Sequence, residues 1–480
     1  MLFHTYTFLF FMLAVLLGHR LLPWRAARWF LLVASYFFYA CSTWYYIFLL
    51  GFCTLATYAA AHLMRHAATL AGRRLWLLAG IASPLAVLAV YKYSHFALSQ
   101  VHGLLGLDLS AFIDPQAMRF LLPVGISFYT FQSVAYVVDV YRGGLSAVRN
   151  FGTYALYISF FPQLVAGPIE RGHNILPQLE QKHVPDAAET TEAVYLFLRG
   201  LVKKVVFADR LGIFVDHIYS LPASSLDGSL WWLATLCFSF QIYLDFSAYT
   251  DMALACGRLI GVRLSQNFRY PYCASNPRDF WRRWHMTLSS WLRDYLYIPL
   301  GGNAKGKLRQ YLNIMLVMFI AGLWHGAAWH FVAWGLFMGL LIMGYDLLRV
   351  ASRKRPEEPL VAGPAAGALG VALTFTLVTL GWVFFRAPSI DSALSILGRM
   401  LAHPGDWLAP LQGNYRFFAL LCFLLYASHL FGSSQYVQKL KQPATYWGRG
   451  LGYGLRWGAI LLLLYFGAVE RTSQFIYFEF

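Results

Sequence analysis

Residues 319–344, FIAGLWHGAAWHFVAWGLFMGLLIMG, run for 26 positions without a single Lys, Arg, Asp or Glu. A stretch so apolar belongs in a bilayer, which about 20 residues of helix cross, and comparable runs recur along the whole chain. With 59% of the 480 residues hydrophobic and only 12% charged, a soluble globule is excluded and an all-α polytopic membrane protein is expected. Hydropathy places spans at roughly 4–19, 28–43, 46–64, 75–93, 119–140, 192–208, 229–250, 311–329, 331–348, 365–385, 415–431 and 455–469. Tyr6–Leu17 reads as a short first membrane helix: no basic region precedes it and no small-residue cleavage site follows.

The formal net charge of +16 does not point to nucleic acid, because the basic residues sit in short loops between apolar runs. Arg20, Arg25 and Arg28 mark one cytoplasmic loop, and Arg65, Arg73 and Arg74 the next. Arg349, Arg353, Lys354 and Arg355, then Lys439, Lys441, Arg449 and Arg456, mark the later ones. Segment 95–118 has no Lys or Arg and holds Asp108 and Asp114, so it is expected outside, as is the N-terminus. The six cysteines are scattered, with no CxxC or His/Cys cluster, so neither a disulfide framework nor a metal site is indicated.

Two regions do not read as simple spans. Residues 150–178 carry three prolines and mid-run glycines, and residues 261–310 are too charged to cross. Broken backbone at membrane depth is tolerated only where protein or a water-filled cavity satisfies it, so both are expected to wall an active-site funnel. If 280–297 is one helix, Trp281, Trp284, Leu288, Trp291 and Tyr295 form a stripe for the bilayer interface. Arg282, Arg283, Arg293, Lys305, Lys307 and Arg309 then supply a cationic edge. That edge either anchors to lipid phosphates or receives a phosphate-bearing donor, with Gly301, Gly302 and Asn303 forming a tight turn.

The residues suited to chemistry are few. His285 follows Trp284 and His325 follows Trp324; a buried imidazole is either a satisfied core residue or a proton acceptor. Gly322 and Gly326 flank His325 and would let a substrate or another backbone approach it. On one helix His330 would lie about 140° from His325, on another face, which argues against joint metal ligation. Asp139, Asp245 and Asp251 are intramembrane carboxylates, and Asp251 is nearly in phase with Arg258, so an ion pair between them is expected. No GxSxG elbow, Walker loop or HExxH is present.

Five ordered stretches between residues 120 and 345 carry a family resemblance: LLPVGISFYTFQSVAYVVDVYRG, FFPQLVAGPIERGHNILPQL, FQIYLDFSAYTDMALACGRLIGVRLSQNFRYPY, FWRRWHMTLSSWLRDYLYIPLGG and AGLWHGAAWHFVAWG. By these the chain resembles the membrane-bound O-acyltransferase family, in particular its bacterial alginate O-acetylation branch. The resemblance implies about 11–12 tilted transmembrane helices, with re-entrant and interfacial helices, around a central funnel. It implies one membrane domain over 1–480, made of N-terminal helices 1–118, a catalytic core 119–348 and C-terminal helices 349–480.

The same resemblance implies that His325 is the catalytic histidine and His285 the second active-site position, often Asn in eukaryotic members. Arg171, Arg282, Arg283, Trp324 and Asn303 are the substrate-binding candidates. No bound cofactor is expected; acetyl-CoA is the expected donor. The acyl group is expected to reach a hydroxyl of an exported polysaccharide or of an extracytoplasmic acetyltransferase partner, in the bacterial inner membrane. Alternatives are a carrier-protein thioester with a lipid, teichoic acid or protein acceptor, and a proton-coupled transporter or flippase. The latter predicts inverted repeats that the sequence lacks.

Overall fold

The computed structural model describes residues 1–106, 122–353, 363–403, 405–433 and the single positions 454, 458, 461 and 463. The described residues are helical or irregular, without strands. Five helices among them are long and apolar enough to cross a membrane: Tyr46–His66, Leu70–Leu104, Trp329–Ala351, Ala365–Arg386 and Tyr415–Ser433. Every expected span up to 415–431 overlaps helix among the described residues, while 455–469 lies outside the continuously described residues, as do Asp108 and Asp114. The first helix, Tyr6–Leu21, starts where Thr5 accepts a hydrogen bond from the Phe8 N–H.

Span 75–93 is only part of a longer helix. The chain is helical from Leu70, tolerates Pro84, and passes through a π-helical turn at Ala89–Tyr93 into Ser94–Leu105. Within the expected span 119–140, residues 122–125 are irregular and helix runs from Ile126, after Gly125 at φ +75°. Both suspected broken regions are broken. Phe151–Ser159, Phe161–Leu164 and Gly172–Leu179 are separate short helices, and so are Pro277–Trp281 and Met286–Leu292.

The described residues form two compact units that interleave in sequence. One comprises Met1–Gly200 with Tyr249–Gln266. In it Tyr46–His66, Leu70–Leu88 and Ile126–Arg142 pack together. A Cβ added at Gly80 would stand 2.9 Å from both Ala60 and Val137, so the glycine sets how closely these helices approach. Phe8 stacks on Phe197, and Phe3 on Tyr249 at 4.5 Å. Asp251 pairs here with Arg199, at 2.9 and 3.0 Å, and not with Arg258. Helical phase brings Arg258 near, but the guanidinium of Arg199 presents two parallel N–H groups to the carboxylate, a stronger fit.

The other unit comprises Leu201–Ala248 with Asn267–Phe480. Its core is aromatic: Trp231, Trp284, Trp334 and Trp382 are almost fully buried, and Trp334 stacks on Trp382 at 5.6 Å. Helices Gly306–His325 and Trp329–Ala351 form a hairpin. Its two arms touch through glycine, since a Cβ at Gly335 would stand 2.2 Å from the Met318 carbonyl oxygen. Lys204, in the π-helical turn Val202–Ala208, is buried between Asp209 and Asp245, at 2.9 Å from each. Asp245 and Asp251 are thus both scaffold partners of cations.

Candidate active site

His325 is the last residue of its helix and is buried. The chain turns through residues 326–328 and restarts at Trp329, so His325 and His330 stand on different helices. The expected 140° separation on one helix therefore does not apply. His330 instead bonds through Nδ1 to the Phe384 carbonyl oxygen at 3.1 Å. The His325 ring is boxed by Trp324 at 4.8 Å, Trp334 at 4.9 Å and Phe385 at 5.2 Å, all near edge-to-face. Such packing fixes an imidazole without charging it.

The flanking glycines make this turn possible. A Cβ at Gly322 would stand 2.3 Å from the Phe331 carbonyl oxygen, and one at Gly326 2.1 Å from the Phe331 ring. What approaches at these glycines is the chain's own next helix.

His285 sits where Pro277–Trp281 gives way to Met286–Leu292. Its backbone is left-handed, at φ +41°, so 280–297 is not a single helix. This overturns the interfacial stripe. Trp284, Leu288 and Trp291 are buried, with the Trp284 ring 5.0 Å from that of Trp382. These aromatics are core because the left-handed residue turns the chain inward. The His285 ring meets Phe246 edge-on at 4.7 Å, and both ring nitrogens are buried without a hydrogen-bond partner. Burial lowers its pKa from 6.5 to about 3, so the ring is neutral at neutral pH.

Trp324 packs against both histidines, its ring 5.9 Å from His285 and 4.8 Å from His325. One unit thus gathers His285, Trp324 and His325, two neutral-capable bases on one indole. Arg282 is exposed and its side chain has no ion pair among the described residues. Arg283 bonds Asp279 at 2.9 Å, one helical turn back. Asn303 is exposed and accepts a hydrogen bond from the Tyr297 hydroxyl.

Arg171 belongs to the first unit, where its carbonyl opens helix Gly172–Leu179. Beside it is a residue that sequence reasoning passed over. Glu170 is buried and accepts from the Ser265 N–H, the Ser265 hydroxyl at 3.1 Å and Asn174 Nδ2 at 2.6 Å. Burial raises its pKa, and the three donors oppose that rise. Lys204 was also passed over. A lysine inside the apolar run LVKKVVFAD, five residues before an aspartate, was the available signal. In the second unit Arg278 reaches Asp346, with Arg349 at 3.7 Å and Gln310 at 3.4 Å from the same carboxylate.

Comparison with known proteins agrees with these features. Residues 144–357 match the model of MBOAT, the membrane-bound O-acyltransferase family. The chain is 34% identical over 504 aligned residues to the "probable alginate O-acetylase AlgI" of Pseudomonas putida, covering 100% of each protein. It is 37% identical to the protein of that name from Pseudomonas aeruginosa, covering 85% of this chain and 76% of that one. With a "peptidoglycan O-acetyltransferase" of Helicobacter pylori it shares 36% identity, over 86% of this chain and 82% of that one. These names describe acyl transfer and give the transporter or flippase alternative no support.

Proposed function

We propose, for a chain that belongs to the membrane-bound O-acyltransferase family and is a membrane acyltransferase, that it moves an acetyl group from acetyl-CoA to a hydroxyl of an exported polysaccharide. The relatives named for alginate and peptidoglycan O-acetylation support a glycan acceptor. The thioester donor is cytoplasmic, the acceptor hydroxyl belongs to the polymer or to an extracytoplasmic partner protein, and the enzyme resides in the bacterial inner membrane.

The observation that carries this reading is that His285 and His325 both pack against Trp324, with ring centroids 5.9 and 4.8 Å from that of the indole. A thioester is already activated, so the enzyme needs chiefly to take a proton from an alcohol and hold the partners together. His325 accepts the hydroxyl proton as the oxygen attacks the thioester carbonyl, a role worth roughly 10²–10⁴-fold. The resulting tetrahedral oxyanion collapses, the carbon–sulfur bond breaks, and the departing thiolate takes up the proton that the imidazole holds. His285 lies near enough to assist at the oxyanion, either directly or by ordering a water.

Trp324 provides an apolar wall against the acyl group. Arg282 and Arg283 attract the donor's phosphates, with Asn303 at the edge of the same segment, and Arg171 is a further substrate-binding candidate. No metal or redox group enters this sequence of steps.

Replacing His325 with Ala is expected to abolish polymer acetylation while the protein still inserts and folds. Acetyl content of the polymer, measured beside membrane-fraction abundance, checks this. Unchanged acetylation in a His325→Ala strain removes the base from the mechanism.

A further inference from the structure

We propose that Asn267 is a positioning residue that holds His285 in its working orientation, with Thr287 as its partner. This rests on the reading of His285 as an active-site residue. A non-glycine residue at φ +41° needs its surroundings to keep it there. The chain on both sides of His285 is fastened to one short stretch, 267–269. Before it, the Arg283 carbonyl oxygen accepts from the Arg269 N–H at 3.0 Å. After it, the Met286 N–H donates to the Asn267 carbonyl oxygen at 2.9 Å. The side chain adds two more bonds: Asn267 Oδ1 accepts from the Thr287 N–H at 3.3 Å and from the Thr287 hydroxyl at 2.6 Å.

Asn267 is wholly buried, so these bonds form in a place where losing one leaves a polar group unpaired. A clasp built only for stability would satisfy its own polar atoms. This one does not. Asn267 Nδ2 and both ring nitrogens of His285 are buried with no hydrogen-bond partner among the described residues. An imidazole kept unsatisfied on a left-handed residue is suited to meet a second molecule, such as a substrate carbonyl or the water that precedes it. The clasp fixes where that ring points. Three consecutive constraints then have one purpose: the loop sets the backbone, the backbone sets the ring, and the ring meets the reacting oxygen.

The test uses the full-length protein in membranes with its native acceptor system, following acetyl-CoA consumption and polymer acetylation. Thr287→Val removes the hydroxyl bond to Asn267 and keeps the volume; Thr287→Ser restores the hydroxyl. Asn267→Asp keeps the acceptor oxygen, and Asn267→Ala removes it. Misplacing a reacting group by about 1 Å costs on the order of 10²-fold. Thr287→Val and Asn267→Ala are therefore expected to lower kcat about 10- to 100-fold with the donor KM within about twofold, and Thr287→Ser to recover most of it.

The decisive arm is the double variant. In a His285→Ala background Thr287→Val is expected to cost nothing further, because the residue it positions is gone. An added loss there, with folded protein at normal abundance, means that the clasp is merely structural and overturns the proposal. Full activity of Thr287→Val beside an inactive His285→Ala also overturns it and leaves the role of His285 standing. Full activity of His285→Ala removes the role of His285 and the clasp's purpose together. Low abundance of Asn267→Ala leaves the decision to the Thr287 pair, which alters a single hydroxyl.

Discussion

The two histidines are alike in sequence, each following a tryptophan, and unlike in surroundings. His325 ends a helix inside a box of Trp324, Trp334 and Phe385. His285 lies on a left-handed turn with unbonded nitrogens and a pKa lowered to about 3 by burial. In the unfolded chain that ring takes a proton below about pH 6.5, while the folded one stays neutral down to about 3. The unfolded state therefore binds more protons in this window, and the fold loses stability as pH falls from 6.5 towards 3. Thermal unfolding in detergent at pH 7 and pH 4.5 is expected to show a smaller acid loss for His285→Asn than for the wild type. An identical loss in both assigns the acid sensitivity to other groups.

The histidines could be singled out from sequence because a titratable group in apolar surroundings stands out by composition alone. Asn267 could not. It is one polar residue in a loop, and its meaning comes from Thr287, twenty positions on, across a turn that helical periodicity does not anticipate. Asp251 was misassigned for a related reason: phase along one helix ranks Arg258 first, but Arg199 of another helix takes the carboxylate.

At the scale of elements, π-helical turns interrupt the helices at Ala89–Tyr93, Val202–Ala208 and Arg293–Tyr297. Extra-residue turns of this kind are often kept at functional positions. In Val202–Ala208 the turn directs Lys204 between Asp209 and Asp245. All three side chains are at most 10% exposed. Lys204→Met strands two carboxylates in the interior and is expected to destabilise by about 3–5 kcal/mol. The exposed Arg199, changed to Met, costs less despite its good geometry. Unfolding temperatures of the two variants in one detergent check the ranking, and equal shifts contradict it.

The segment 280–297, if one helix, was expected to form an interfacial stripe, and its cations an anchor or a donor site. With the tryptophans in the core, the cations have to be judged alone. Arg282→Gln is expected to raise the apparent KM for the acetyl donor several-fold with unchanged unfolding temperature, since its side chain bonds nothing among the described residues. A change in membrane abundance with constant KM instead assigns Arg282 to lipid phosphates.

At the scale of the whole molecule, hydropathy located the helices well because burial in a bilayer leaves a plain compositional mark. Span 75–93 was cut short because Lys92 and the polar Ser94 and His95 end the apolar run, while the backbone carries on through a π-helical turn. The two compact units were invisible for a different reason. Residues 249–266 join the N-terminal unit, and they do so within one continuous helix, Gly228–Ile260. A contiguous reading of the chain has no means to anticipate such an exchange. Motif order, by contrast, survives it, and so the family was legible.

The left-handed backbone at His285 also sets a rule for substitution. Few residue types accept a positive φ without strain: glycine does, and asparagine and aspartate do so more readily than the rest. Of these only asparagine is both uncharged and able to donate and accept a hydrogen bond. A library of all replacements at position 285 should accordingly sort first by torsional tolerance and only then by chemistry, with asparagine the sole survivor of both sieves.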